Sequence, residues 1–462
     1  MHKSEFGVIG LGVMGKSISL NIAENGFSTS VYNRICEGEE NVVDDFINST
    51  SLKNINGFTN LKSFVEGIER PRRILIMIKA GTAIDTIIQQ ILPFLHKGDV
   101  IIDGGNSLFT DTQRRTIYLN QAEIDFIGCG ISGGEEGARK GPSIMPGGTF
   151  EAYLKVAPIL EKIAAKDNSG KPCCTFIGND GAGHFIKMIH NGIEYAEMQL
   201  IAEVYSVLKV SFTNDEISKL FHEWNIENTG NYLLEITSKI LTKKEGNNYL
   251  IDLILDKSGN KGTGSWSSKT ALDLGFPGTM ITAAVFDRFI SSFKKDRVEL
   301  SKNLTRKVHF NAPKIEDLKK AYQFARIINH HQGFLLMKEA SKTYNWNLNF
   351  SEIARIWTNG CIIRSKFMEK SIEILKNNSD YLKDNQTFNS LHDNEDAIVE
   401  TLKYGLENRI PLNTLNASFN YWMSITSERL PANIIQAQRD FFGAHTYQRI
   451  DKKEQEYFHT TW

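Results

Sequence analysis

The sequence predicts an α/β domain built on a parallel sheet, then a large all-α domain and a C-terminal tail. Three observations predict it. The first third of the 462 residues alternates short apolar runs with helical patterns, the signature of βαβ units. After about residue 178 the β-branched runs thin out, and helical periodicity continues to roughly Ala437. The last stretch, "QAQRDFFGAHTYQRIDKKEQEYFHTTW", ends a helix at Gly443 and goes on as a polar segment dotted with aromatics. The expected domains are therefore 1–178, 179–437 and 438–462. A tail of that composition is either frayed or held by something outside its own domain.

The strand-like runs come in order as "EFGVIGLG", "STSVYNR", "RRILIMIKAG", "DVIIDGGNS" and "IDFIGCGISGG". Each ends in small or polar residues: Gly10 to Gly15, Asn33-Arg34, Lys79-Ala80-Gly81, Asn106-Ser107 and Ser132-Gly133-Gly134. Ligands of open parallel sheets bind beyond the carboxyl ends of the strands, so five loops converge on one place. "GLGVMG" (Gly10, Leu11, Gly12, Val13, Met14, Gly15) fits GxGxxG between a strand and a helix pattern, which makes the domain Rossmann-type. The first glycine allows the turn, the second lets a pyrophosphate approach, and the third brings helix against strand. The helix N-terminus then offers unpaired N–H groups to phosphate. At the end of the second strand an NAD site wants Asp or Glu, but this chain has Asn33 and Arg34. An arginine there can pair with a 2′-phosphate, which favours NADP over NAD.

In the helical part, "HFIKMIHNGIEYAEMQ" (184–199) sets Lys187, His190, Asn191 and Glu194 at i, i+3, i+4 and i+7. That spacing is one stripe of a helix. Such a stripe is usually a solvated side. Here it offers a base, an imidazole, an amide and an acid directly after the loop "GNDGAGH", a mixture unusual for a surface. "ILDKSGNKGTGSW" is no Walker motif, yet Lys261, Thr263 and their glycines can hold an anion, and Arg288 and Arg439 are further candidates.

Composition narrows the class. Apolar residues make up 41% and charged residues 23%, ordinary for a globular protein with a large core, and the formal charge of −1 gives no global footprint for nucleic acid or anionic membrane. No apolar run reaches the length of about 20 residues that spans a bilayer. Five scattered cysteines without a CxxC pair suit reduced thiols, and the opening "MHKSEFGVIGLG" has no signal-peptide pattern, so a cytoplasmic enzyme is expected. His330-His331 and "HDNEDA" read as exposed loop or helix ends rather than a metal site.

The motifs "GLGVMG", "IIDGGNS", "GISGGEEGARKGPSIMPGG", "GAGHFIKMIHNGIEYAEMQ", "NKGTGSW" and "QRDFFGAHTY" occur in one order from end to end. In this the chain resembles the 6-phosphogluconate dehydrogenases, NADP-dependent decarboxylating enzymes of the pentose phosphate pathway. The resemblance implies Lys187 as general base and Glu194 as general acid. It implies substrate contacts at Asn106, Ser132, Gly133, Gly134, His190, Asn191, Tyr195, Lys261, Thr263 and Arg288. It further implies NADP contacts at Gly10 to Gly15, Asn33, Arg34, Ile35, Ile78, Lys79, Ala80 and Asn106. A homodimer follows from the same likeness, with Arg439 and His445 delivered into the neighbouring site. No metal is implied, because the lysine serves as electrophile. Two positions depart from the pattern: Ile35 replaces a frequent threonine and Ser265 a frequent lysine. A 3-hydroxyacid dehydrogenase acting on a smaller acid would need neither so long a helical domain nor Lys261, Arg288 and Arg439 together. A non-catalytic NADPH-binding protein would be expected to have lost Lys187 or Glu194.

Overall fold

The computed structural model describes residues 3–259, 262–304, 313–378 and 380–462, with 228 and 229 described by backbone alone. Lys261 lies outside the described residues. Seven strands form one sheet: β1 (Phe6–Ile9), β2 (Thr29–Tyr32), β3 (Ile55–Phe58), β4 (Arg73–Ile76), β5 (Val100–Asp103), β6 (Asp125–Ser132) and β7 (Ser143–Gly147). Their order is β3-β2-β1-β4-β5-β6-β7. β1 to β6 run parallel, and β7 is antiparallel to β6, with Gly130 opposite Met145. β1, β2 and β5 are buried along their whole length, as apolar runs covered on both faces should be. The order reverses between β1 and β4, and a crevice opens there beyond the strand ends. Helix α1 (Val13–Glu24) leaves β1 through the glycine loop, and α2 (Gly134–Lys140) follows β6.

Helix α3 (Ala182–Leu208) joins the two halves of the molecule. At 27 residues it is about 40 Å long. Its first turns pack against β6 and β7, and the rest lies among α4 (Thr263–Asp273), α5 (Thr279–Ser292), α6 (Ile315–Tyr344) and α7 (Asn413–Ile425). Phe185, Ile186 and Ile189 join one apolar cluster with Trp346 and Trp357, while Leu200 and Val204 join another with Phe221 and Trp422. Two buried acids fix the register of α3. Glu197 meets Arg326 of α6 at 2.7 Å and accepts from the Tyr322 hydroxyl at 2.6 Å. Glu203 accepts the backbone N–H groups of Thr414 and Leu415 at 2.8 and 2.9 Å, capping the start of α7.

Three details differ from the sequence expectation. The sheet is not parallel throughout, because β7 turns back beside β6. His330 and His331 are not at an exposed loop or helix end; both are buried in the middle of α6. The boundary expected at 437/438 falls inside the last helix, α8 (Ala432–Gly443), which is continuous across it. Among the described residues no helix is long and apolar enough to cross a membrane.

Candidate active site

The glycine loop makes the turn and the close helix–strand packing expected of its first and third glycines. Gly10 has φ +98°, open to glycine at little cost, and a Cβ at Gly15 would sit on the Gly10 carbonyl oxygen. Around Gly12 a Cβ would meet nothing within 4 Å, so this face of the loop is open to a ligand. A cleft of about 640 Å³ begins at Gly10 and Gly12 and is walled by Asn33, Arg34, Ile78 and Lys79. The Asn33 side chain ties the loop to β2 by accepting the Leu11 N–H at 3.1 Å. A cleft of this size, with an open glycine backbone at a helix N-terminus and a guanidinium at its edge, fits a dinucleotide bearing a 2′-phosphate. Ile35, next in the chain after Arg34, is exposed, and Val13 is exposed beside Gly12.

Across the sheet from this cleft, α3 approaches β6 and β7 unusually closely. Cβ atoms at Gly183 would collide with backbone of Gly128 and Met145, and one at Gly130 with the Cβ of Lys187. Lys187 is consequently only 7% exposed. Burial holds its ammonium below the ordinary lysine range, and only the nearby Glu194 and Cys361 pull it back up. His190 is fully buried, its ring edge-on to Trp357 at 5.5 Å. Its Nδ1 lies 3.2 Å from the Asn191 amide oxygen, and its Nε2 lies 3.1 Å from the Ser132 hydroxyl. Those partners assign the proton to Nδ1, with Ser132 donating to Nε2. Burial, and then the charge of Lys187, push His190 well below its usual value, so it is neutral at physiological pH. Glu194 stands 3.7 Å from His190 Nδ1. Lys187, His190 and Asn191 of the stripe thus lie inside the protein rather than in solvent, with Glu194 partly buried at its edge.

A second wall comes from α4 and α5. The Arg288 guanidinium sits 3.5 Å from the centre of the Tyr195 ring and donates to the Gly259 carbonyl at 3.1 Å. Burial lowers its pKa, yet an arginine remains charged. Thr263 opens α4 after Gly262, whose φ is +94°. A Cβ at Gly264 would come within 2.5 Å of the Tyr195 ring, and Ser267 donates to the Met188 carbonyl at 2.8 Å, so α4 is seated on α3. From the sheet side, Gly133 begins α2 with φ +124°, and Asn106 is exposed on a loop that Asp103 pins by accepting from Gly105 N–H and the Ser107 hydroxyl.

Two profile matches cover the chain. Residues 5–178 match the NAD binding domain of 6-phosphogluconate dehydrogenase, and residues 183–462 match the 6-phosphogluconate dehydrogenase C-terminal domain. The chain belongs to the 6-phosphogluconate dehydrogenase family. It is 48% identical to the decarboxylating 6-phosphogluconate dehydrogenase of Escherichia coli K12, over all of both chains. The NADP(+)-dependent, decarboxylating enzyme of Bacillus subtilis is 47% identical, again over all of both. The solved structure of Plasmodium falciparum 6-phosphogluconate dehydrogenase, described as apo, with NADP+ and with 6-phosphogluconate, matches with a TM-score of 0.94. Its identity is 39%, covering 99% of this chain and 100% of that one.

Not every residue that the likeness to 6-phosphogluconate dehydrogenases assigned lies on this stripe. Within one protomer Arg439 donates to Gln436 at 3.2 Å, and His445 packs on Phe442 at 5.8 Å. These contacts keep both residues on α8 and its tail. Conversely, Gly130, Trp357 and Cys361 touch or face the stripe and were not expected. Burial raises the Cys361 thiol to about 12, so it remains protonated beside Lys187. Gly130 had a readable signal: glycines alternating with Ile and Cys in "IGCGIS" mark a strand that another backbone approaches. Trp357 and Cys361 carried none, being brought in from more than 150 residues downstream of Lys187.

Proposed function

We propose that the chain oxidises 6-phosphogluconate at C3 and decarboxylates it to ribulose 5-phosphate with NADP, in keeping with relatives named as decarboxylating 6-phosphogluconate dehydrogenases. The observation that carries this reading is Lys187, buried against Gly130 of β6 and sharing one stripe with Glu194. NADP, when bound along Gly10 to Gly15, Asn33-Arg34 and Ile78 to Ala80, supplies the hydride acceptor. Lys187, its pKa lowered by burial, takes the C3 hydroxyl proton in its neutral form as C3 is oxidised. The ammonium so formed then polarises the new C3 carbonyl, which receives the electron pair of the breaking C–CO2 bond. Glu194 protonates C1 of the resulting enediol. Lys187 and Glu194 are separated by about 10.5 Å of helix rise, and His190 and Asn191 between them hold the substrate hydroxyls over the stripe. Arg288, braced on Tyr195, takes the phosphate together with Lys261 and Thr263, and Ser132 to Gly134 and Asn106 make further substrate contacts.

The same reading makes the enzyme a cytoplasmic homodimer whose Arg439 and His445 complete the neighbouring site. In support, α8 exposes Ile434, Ile435, Phe441 and Phe442 at 58–71%, an apolar surface a lone chain would not keep in water. The purified protein is mixed with NADP and 6-phosphogluconate in EDTA, and absorbance of reduced cofactor is followed together with released CO2. Both products should rise in step. If reduced cofactor appears without CO2, the decarboxylating assignment falls. If neither appears, smaller 3-hydroxyacids become the substrates to try.

A further inference from the structure

The edge of the cofactor cleft holds a group that works against a 2′-phosphate. The segment after β2 reads "NRICEGEE", and it folds back so that Glu39 reaches the residues expected to grip the cofactor. One Glu39 carboxylate oxygen lies 3.9 Å from Arg34 Nε and accepts from the Asn33 amide and the Cys36 thiol, each at 3.4 Å. Arg34 is itself 74% exposed along its side chain, and among the described residues this carboxylate is its one ionic contact. Glu39 also lines the 640 Å³ cleft, and it is the only acid that does so among the described residues. The neighbouring Glu40 turns elsewhere and accepts the Gly38 N–H at 3.0 Å.

We propose that Glu39 is a specificity-determining residue of the cofactor site, opposing the 2′-phosphate of NADP and accepting the free 2′-hydroxyl of NAD. The inference rests on the reading of that cleft as the dinucleotide site. Its chemistry is general: sites for NAD place a carboxylate at the ribose hydroxyls, and sites for NADP place an arginine at the 2′-phosphate. This chain has both within one loop, on opposite sides of a single contact. When Arg34 turns to a phosphate it must leave Glu39, and the carboxylate stays close enough to repel the arriving anion. When the ribose carries only a hydroxyl, the same oxygen is a ready acceptor and Arg34 need not move. NADP binding is thereby held below what Arg34 alone would give, and NAD is accepted more readily.

Replacing Glu39 by Gln keeps the hydrogen-bonding shape and removes the charge. Calorimetric titration of the full-length protein with 2′,5′-ADP and with 5′-AMP reads the effect without any turnover, so it stands whether or not 6-phosphogluconate proves to be the substrate. Glu39→Gln should tighten 2′,5′-ADP about tenfold, the order of one like-charge contact at a half-exposed site, and should leave 5′-AMP unchanged or weaker. The NADP-to-NAD ratio of kcat/KM should rise by the same factor, chiefly through KM. Glu40→Gln makes the same change of net charge one residue away and should move either ratio by less than about twofold. No change in Glu39→Gln, a weakening of 2′,5′-ADP, or an equal gain for both nucleotides overturns the proposal.

Discussion

The proposed mechanism asks Lys187 to do two things that ordinarily conflict: to be basic enough to take an alcohol proton and to be neutral while waiting for it. Burial shifts the balance toward the neutral amine, at a cost in stability. Its folded pKa lies below the unfolded value of about 10.4, so the unfolded chain binds that proton more readily than the folded one. Stability therefore rises with pH from the depressed folded value up to about 10.4, and below that window the burial works against folding. Lys187→Met should remove this dependence. The variant should melt higher than wild type near neutral pH, with the difference shrinking as pH rises toward 10.4, while activity falls at least about a hundredfold. Thermal melts at a series of pH values check it; a variant that melts lower at pH 7 would mean that Lys187 is stabilised by contacts other than those described. Ser132 supports the same arrangement. Ser132→Ala leaves His190 Nε2 buried without a donor, a loss of about 1–3 kcal/mol, readable as a lowered midpoint in urea with an unchanged slope.

The stripe of Lys187, His190, Asn191 and Glu194 is enclosed because a helix and a strand touch backbone to backbone. Gly128 faces His184 and Gly130 faces Lys187, so two alternate positions of β6 make room for two successive turns of α3. Gly130→Ala adds one methyl where the Lys187 stem already lies. The expected result is a destabilisation of about 1–3 kcal/mol, with a loss of kcat larger than any change in the KM for NADP, because the cleft at Gly10 to Gly15 is untouched. Steady-state kinetics with both substrates decide this, and an equal loss in both parameters would mean that the whole interface had shifted. Much of this element was legible. Helical spacing alone groups Lys187, His190, Asn191 and Glu194, since period is a local property. Burial of the stripe was not legible from period alone, because polar residues on a helix default to solvent until a partner strand is known. The edge strands were missed for a related reason. β3, "INGF", has one buried residue in four, and β7, "SIMPG", contains a proline and a glycine. Neither has the apolar density that marked the central strands, and it is pairing with β2 and β6 that makes them strands.

For the molecule as a whole, the proposed dimer requires that the tail be held ready for a neighbour. Asp440 on α8 is enclosed by it: Thr446 N–H and His459 Nδ1 meet one carboxylate oxygen at 2.9 Å each. Thr460 N–H and Trp462 Nε1 meet the other at 3.1 and 3.0 Å. Burial alone would raise this carboxyl, but the hydrogen bonds led by His459 outweigh it and hold it at about 2. Because the folded value is depressed, the hold on the tail is complete above the unfolded value of about 3.9 and is lost as pH falls through about 2. The tail is thus a small preformed unit, a two-stranded hairpin (Tyr447–Gln448 with Tyr457–Phe458) latched to its own helix. Such a unit can place Arg439 and His445 in a neighbour's site without ordering a loose chain on arrival. Asp440→Asn turns an NH2 toward groups that are themselves donors, so the latch should open even though volume and packing hardly change. Trp462 fluorescence should shift to the red, activity should drop at least about tenfold, and sedimentation velocity should show dimers dissociating at higher protein concentration. Arg439→Ala separates the two roles, since it should lose activity while remaining dimeric with native fluorescence. If Asp440→Asn frees Trp462 but keeps full activity, the tail does not complete the neighbouring site. The exposed apolar face of α8 would then be what holds the subunits together.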